Sequence, residues 1–210
     1  MSIKSTYISL IQTLYKWIFL GALIGIFVGS TTAFLLTVND FLGETRESNF
    51  YLIYFLPFGG ILIGYLYTKI GKSSGNDSSE GNNLVINGIH DKAQVLKRMG
   101  PLVYIGTFIT VFFGGSTGRE GAAVQMGGSI AEAVNQYFKI TKLDKKILLM
   151  SGISAGFGAA FGTPITGTVF GMEMVALGKM KYKALIPCIV ASFVGHYVAI
   201  SVKDGYKKCA

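Results

Sequence analysis

Long apolar stretches without charged residues constrain this chain more than any other feature of its sequence. The hydrocarbon core of a bilayer is about 30 Å thick and is crossed by about 20 apolar residues in a helix. The stretches that reach or approach this length are Tyr15–Val38, Phe50–Tyr67, Leu102–Phe113, Ala122–Phe138, Ile147–Phe161, Ile165–Leu177 and Ala184–Val202. We therefore expect an all-α, multi-pass integral membrane protein that forms a single domain over residues 1–210.

The composition also fits a chain that is surrounded by lipid. Only 14% of the residues are charged and 28 are glycines, whereas globular proteins average about 25% charged residues. The net charge of +8 comes from basic residues in short segments between the apolar stretches, so we expect no nucleic-acid partner. The apolar run from Trp17 to Val38 is too long for a cleavable signal peptide and predicts a retained first membrane helix.

The later apolar stretches are short, and glycines or Pro164 interrupt them. Interrupted segments of this kind are typical of discontinuous membrane helices, whose ends meet near the bilayer midplane. We expect several of these helices to re-enter the membrane rather than cross it.

The charges between the apolar stretches predict an orientation. Most of these segments are basic, whereas residues 39–49 contain Asp40, Glu44 and Glu47 and a single arginine. Because basic loops stay in the cytoplasm, we expect the N-terminus on the cytoplasmic side of the cell membrane and a loop over residues 39–49 outside. The polar residues 71–81 are expected to form a flexible connector.

Residues 114–121, Gly-Gly-Ser-Thr-Gly-Arg-Glu-Gly, lie between two apolar stretches and so place Arg119 and Glu120 at membrane depth. Ionisable residues there are costly and usually functional. The start of a helix near Glu120 would present backbone N–H groups and the positive end of the helix dipole, which together bind anions. A carboxylate at this position occupies the site while ionised and leaves it once protonated. We predict Glu120 as gate and proton acceptor, and Gly118, Arg119 and Gly121 as anion-binding backbone donors.

A different explanation of the same residues is a capped helix start with a structural Arg–Glu pair at the headgroup boundary. A phosphate-binding loop is disfavoured, because no strand precedes the motif and no Gly-Lys-Ser/Thr follows it.

Residues 118–121 resemble the Gly-Arg-Glu-Gly-Pro signature of the CLC family of chloride channels and proton-coupled exchangers. Residues Ser151–Glu173 resemble the next conserved segment of that family, in which small-residue helices run through a proline to an acidic position. The resemblance extends from about Tyr15 to the end of the chain. It implies halide transport that is gated by a glutamate or coupled to protons, a homodimer in the lipid bilayer, no enzymatic activity, and no cofactor or metal.

The first anion loop of this family reads Gly-Ser-Gly-Ile-Pro, and the matching residues 81–85 here are Gly-Asn-Asn-Leu-Val. Asn82 therefore stands where a serine hydroxyl would face the anion, and its amide offers two donors. A Gly-Asn-Asn-Leu loop is similar to the fluoride-exporting bacterial branch of the family. Fluoride is small and strongly hydrated and needs strong donors, so we favour fluoride over chloride as the substrate. A helix cap at Asn82 is compatible with either anion.

Two further residues depart from the pattern of the family. Ala122 replaces the proline of the signature. Glu173 aligns with the first residue of an acidic pair in exchangers, and Met174 occupies the second position, which is the internal proton-transfer glutamate there. The resemblance thus leaves proton exchange to Glu120, and Glu173 is expected to cap a helix or face water.

The family is built from two inverted halves, and the second half contributes a Gly-x-Phe-x-Pro loop and a tyrosine to each anion site. Neither occurs in this sequence, and only Ala184–Val202 resembles the first helix of the second half. We therefore expect the chain to supply the first half of a transporter and to be incomplete alone. The alternative is a truncated, non-transporting fragment that packs with partner helices.

Overall fold

A computed structural model describes residues 3–71, 99–174 and 182–209, and these residues form helices and turns without a strand. Short 3₁₀ or π segments at Phe50–Phe55, Tyr67–Gly71 and Tyr182–Ala184 flank the longer helices. The α-helices are α1 (Ile3–Ser48), α2 (Leu56–Leu66), α3 (Met99–Phe112), α4 (Arg119–Phe138), α5 (Lys142–Phe161), α6 (Pro164–Glu173) and α7 (Leu185–Cys209). The all-α prediction is confirmed.

Some helices are long enough to cross a bilayer and others are not. Among the described residues, Ile11–Ser48, Phe50–Ile70 and Tyr182–Gly205 are long and apolar enough to span. Helices α3 and α6 contain 14 and 10 residues, which at 1.5 Å per residue makes them about 21 Å and about 15 Å long. Both are shorter than a hydrocarbon core of about 30 Å. The predicted mixture of spanning and short membrane helices is confirmed.

Helix α5 forms the centre of the bundle. Its residues Leu148, Leu149, Met150 and Ile153 are at most 1% exposed, and α1, α4, α6 and α7 all pack against it. A helix that is apolar on every side is expected in such a central position. The main hydrophobic cluster therefore joins α5 to the four helices that pack around it.

Glycines bring α4 and α5 into backbone contact. A side-chain carbon added at Gly127 would overlap the carbonyl of Gly152, and one added at Gly156 would overlap the carbonyl of Ala123. Small residues at such crossings let membrane helices approach closely. This crossing fixes α4, and with it the position of the residues at its start.

The sharp break between α5 and α6 follows from two residues. Gly162 ends α5 in the left-handed region at φ +73°, where glycine is favoured. Pro164 occupies the first turn of α6, where its missing N–H costs no hydrogen bond. The predicted interruption at Pro164 is thus a change of helix.

The prediction that residues 39–49 form a loop is wrong, because α1 remains helical through Ser48, and their location on the outside stays a prediction. The apolar stretch ends at Val38, but the helix continues for ten more residues. Asp40, Glu44 and Glu47 recur every three or four residues, so they form a polar face on a continuing helix.

The last apolar stretch ends at Val202, but α7 also continues beyond it, to Cys209. In both α1 and α7, the end of the apolar stretch marks where a helix would leave lipid, and the helix itself continues further. Residues 72–81 of the predicted connector and residues 175–177 of the sixth apolar stretch lie outside the described residues.

Candidate functional site: the start of helix α4

The chain turns sharply between α3 and α4. Gly114 adopts φ +85°, a left-handed conformation that favours glycine, and the Gly115 N–H donates to the Thr110 carbonyl over 2.8 Å. The chain is then extended at Gly118 (φ −75°, ψ 113°), and α4 begins at Arg119. The helix start that the sequence predicts near Glu120 is confirmed.

The first turn of α4 presents open backbone donors. No side chain caps it at Gly118, and the first N–H groups of an α-helix have no partner within the helix. The structure brings Gly118, Arg119, Glu120 and Gly121 together in this turn. Four of the five predicted site residues are therefore adjacent, whereas Asn82 lies outside the described residues.

The Glu120 side chain lies over the start of its own helix. A side-chain carbon built on Gly118 would be 3.2 Å from Glu120 Oε2, and Glu120 is only partly exposed. The carboxylate thus lies close to Gly118, the residue before a helix start whose N–H groups and positive dipole end attract negative charge. A larger residue than glycine at position 118 would crowd it.

Arg119 pairs with a carboxylate other than Glu120. Arg119 Nη1 donates to Asp40 Oδ1 over 3.3 Å, and Lys203 Nζ donates to Asp40 Oδ2 over 2.9 Å. Asp40 on α1 therefore links the first residue of α4 to α7. This geometry disfavours the explanation of the motif as a structural Arg–Glu pair.

A cavity of about 570 Å³ opens beside the turn before α4. Ser116, Thr117 and Arg119 line one side of it, and the last turns of α1 line the other. Asn39 also faces the cavity, although it is only 5% exposed and both of its amide atoms lack a hydrogen-bond partner. The cavity therefore places polar and charged side chains beside the start of α4.

Sequence reasoning missed Asn39, Asp40 and Lys203 as parts of this region. Asn39 and Asp40 lie in the predicted loop, and Lys203 follows the last predicted apolar stretch. The helical spacing of Asp40 with Glu44 and Glu47 is the signal that would have extended α1. Nothing in the sequence pairs Asp40 with Lys203, which is 163 residues away.

One departure from the family pattern, Met174, lies at the end of α6. Glu173 is the last residue of this helix and is exposed. Met174 is partly buried and packs against the main hydrophobic cluster. The thioether of Met174 cannot bind and release a proton as a glutamate would. Glu173 is exposed at the end of a helix, which agrees with the prediction that it caps a helix or faces water.

Comparisons with known proteins agree with the fold and the motif. The family model for the voltage gated chloride channel matches residues 59–207. The chain is 42% identical over 192 residues to a chloride/fluoride channel protein of Pseudomonas syringae, covering 91% of this chain and 42% of that protein. It is 26% identical over 224 residues to an H(+)/Cl(-) exchange transporter of Vibrio cholerae, covering 95% of this chain and 45% of that protein.

The fold is similar to that of a solved CLC-type fluoride/proton antiporter, with a TM-score of 0.83 and 36% sequence identity over 90% of this chain and 47% of that one. The higher identity to the two proteins named for fluoride supports the resemblance to that branch. The chain spans about half the length of the relatives it matches. The matched family model, the fold and the Gly-Arg-Glu-Gly helix start together show that this multi-pass membrane chain belongs to the voltage gated chloride channel (CLC) family.

Proposed function

We propose that this chain forms the glutamate-gated side of a transmembrane halide pathway, with Glu120 as both gate and proton acceptor. The observation that carries the proposal is the Glu120 carboxylate over Gly118, at the uncapped start of α4. While ionised, this carboxylate takes the place of an anion at the helix N-terminus. Protonation removes the charge that holds it there. Anion binding and carboxylate binding then exclude each other, which couples halide movement to protons.

The proposed substrate is fluoride. The loop containing Asn82 resembles that of fluoride exporters, and the identity is 42% and 36% to the proteins named for fluoride against 26% to the chloride exchanger. A small anion gains most from closely placed N–H donors, because its charge is concentrated. Chloride is the alternative, and a comparison of the two fluxes decides between them.

We propose that a complete halide pathway needs a further polypeptide segment in addition to this chain. Helix starts with open N–H groups are costly beside lipid, and the curated relatives run to about twice the length of this chain. The complement is proposed to be a segment equivalent to the remaining half of these relatives, in a homodimer of complete subunits. The N-terminus is proposed to face the cytoplasm, with the cavity beside Arg119 facing outward.

Fluoride and proton flux from liposomes tests the role of Glu120. This chain is co-expressed with the C-terminal half of the Pseudomonas syringae relative, and the purified complex is reconstituted. We expect proton-coupled fluoride efflux that rises as the pH falls. Glu120→Gln, which mimics the protonated side chain, should leave fluoride flux that no longer depends on pH and no longer moves protons.

Glu44→Gln is the matched control, because Glu44 is an exposed carboxylate that lines the same cavity. It should retain both the pH dependence and the proton coupling. If Glu120→Gln behaves like Glu44→Gln in an active complex, Glu120 is not the gate.

The second candidate is a fragment that packs with partner helices without transporting. The observation that favours it is the half-length match to the relatives. A complex with the complementary half that assembles but carries no halide would support this candidate over transport.

A further inference from the structure

A second groove lies at the end of α4 opposite to Glu120. It has a volume of about 350 Å³ and runs between the first third of α1 and the short turn that joins α4 to α5. Tyr15, Lys16, Phe19 and Leu20 form one side, and the segment from Phe138 to Thr141 forms the other. The proposed halide pathway makes no use of this groove.

The walls of the groove are apolar and reach the surface of the bundle. Phe19 is 53% exposed and Phe138 is 45% exposed, whereas Leu20 at the base is 4% exposed. Tyr15 and Tyr137 on either side are also strongly exposed. Exposed aromatic residues at the ends of membrane helices are typical of the headgroup level of a bilayer. We therefore expect the groove to lie at the headgroup level of the bilayer, where the acyl chain of a lipid joins its headgroup.

Two lysines stand at this groove. Lys139 ends α4 at φ 49°, and its N–H donates to the Asn135 carbonyl. Within the described part of the chain, no carboxylate pairs with Lys139. Lys16 is held in place, with its Nζ 2.7 Å from Asp144 Oδ2 and 5.4 Å from the centre of the Trp17 ring. The groove is thus lined by one lysine that a carboxylate neutralises, Lys16 on α1, and by one without a carboxylate partner among the described residues, Lys139.

We infer that this groove between α1 and the α4–α5 turn binds a phospholipid with an anionic headgroup. The phosphate pairs with Lys139, Lys16 lies beside it in its pair with Asp144, and an acyl chain lies against Phe19 and Phe138. Basic grooves between membrane helices at the interface recognise anionic headgroups in this way. A soluble phosphate would use the lysines but none of the apolar wall, so the lining favours a lipid over a free anion.

Native mass spectrometry of the purified complex tests this inference. The protein is mixed with equal amounts of phosphatidylglycerol and phosphatidylcholine of identical chain length, and the retained lipid is counted. We expect phosphatidylglycerol to be preferred. Lys139→Gln should lower this preference by about fivefold, which is the value of one lysine close to an anionic surface.

Lys183→Gln is the matched control, because Lys183 is an exposed lysine in another turn of the bundle. It should leave the preference unchanged. Phe19→Ala removes part of the apolar wall and should reduce the retention of both lipids while the preference for phosphatidylglycerol remains.

Three results would overturn the inference. One is equal retention of the two lipids by the unmodified protein. Another is an equal loss of preference in Lys139→Gln and Lys183→Gln, which would reflect general surface charge. The third is displacement of the bound lipid by excess glycerol phosphate, which would identify a site for a soluble anion.

Discussion

At the scale of single residues, Asp40 connects the start of α4 to two other helices. Its carboxylate receives hydrogen bonds from Arg119 and from Lys203. All three side chains are more than a third exposed, and ion pairs of such exposure contribute little to stability. The network is therefore better suited to orienting Arg119, beside Glu120, than to holding the fold together.

We expect Asp40→Asn to lower the free energy of unfolding by less than about 1 kcal/mol, in line with exposed ion pairs. The difference from the unmodified protein should vanish in 1 M salt, where the screening length falls to about 3 Å. Thermal unfolding in detergent at low and high salt measures both effects. A loss above about 3 kcal/mol, which is typical of breaking a buried ion pair, would contradict this interpretation.

The prediction that the Asn82 amide donates to the anion is tested by the selectivity of the transporter between fluoride and chloride. In the reconstituted complex, Asn82→Ser should lower the ratio of fluoride to chloride flux by about fivefold, which is the value of one hydrogen bond. Electrode recordings with both anions give this ratio. Asn83→Ser, a change of the same type one residue later, serves as the control, and an equal effect of both would remove the specific role of Asn82.

At the scale of helices, the crossing of α4 and α5 holds the site in place. Their backbones touch at Gly127 and Gly152, and α4 carries Glu120 at its start. Helix α2 behaves differently, since Gly60 and Gly64 have no neighbour within 4 Å of an added side-chain carbon. Similar glycines thus have different roles in the two parts of the bundle.

Gly152→Val should therefore destabilise the protein by about 1–3 kcal/mol, the usual cost of overpacking, or prevent folding. Gly64→Val places the same side chain in a helix with open space around it and should leave stability nearly unchanged. Thermal unfolding and size-exclusion profiles in detergent compare the two. Equal losses in both variants would show that valine in a helix, rather than the crossing, causes the effect.

At the scale of the whole molecule, the described helices leave most residues of α2 exposed. The segment Phe50–Ile70 has only 6% of its spanning window buried, whereas Ile11–Ser48 has 50%. The chain also spans about half the length of the relatives it matches. Both observations fit a proposal in which further helices complete the halide pathway.

We expect liposomes containing this chain without the complementary half to show no fluoride efflux above that of empty liposomes. Addition of the complementary half during expression should restore it. Fluoride-electrode recordings on matched amounts of protein make the comparison. Glu120-dependent flux from the chain alone would show that the complement is unnecessary and would contradict the half-pathway proposal.

Local sequence signals were enough to predict that the apolar segments are helical and that an ionisable residue lies at the start of a helix. Whether a helix is long enough to span the bilayer or is short follows from the length of its apolar stretch and from interruptions such as Gly162 and Pro164. These signals are local, because each affects only the few residues around it. The start of α4 follows from local signals in the same way, because Gly118 and Glu120 are two residues apart. The end of α1 could not be predicted from hydropathy, because polar residues extend this helix from Val38 to Ser48.

The partners of these residues could not be predicted from the sequence, because they depend on how the helices pack. Asp40 meets Arg119 and Lys203, and Glu120 lies over an open helix start, because the packing of α1, α4 and α7 around α5 brings these residues together. The pairing of Arg119 with Asp40 also disfavours an Arg–Glu pair within the motif, an alternative that the sequence left open. Contacts between residues far apart in the chain depend on helix crossings, and no local sequence signal specifies them.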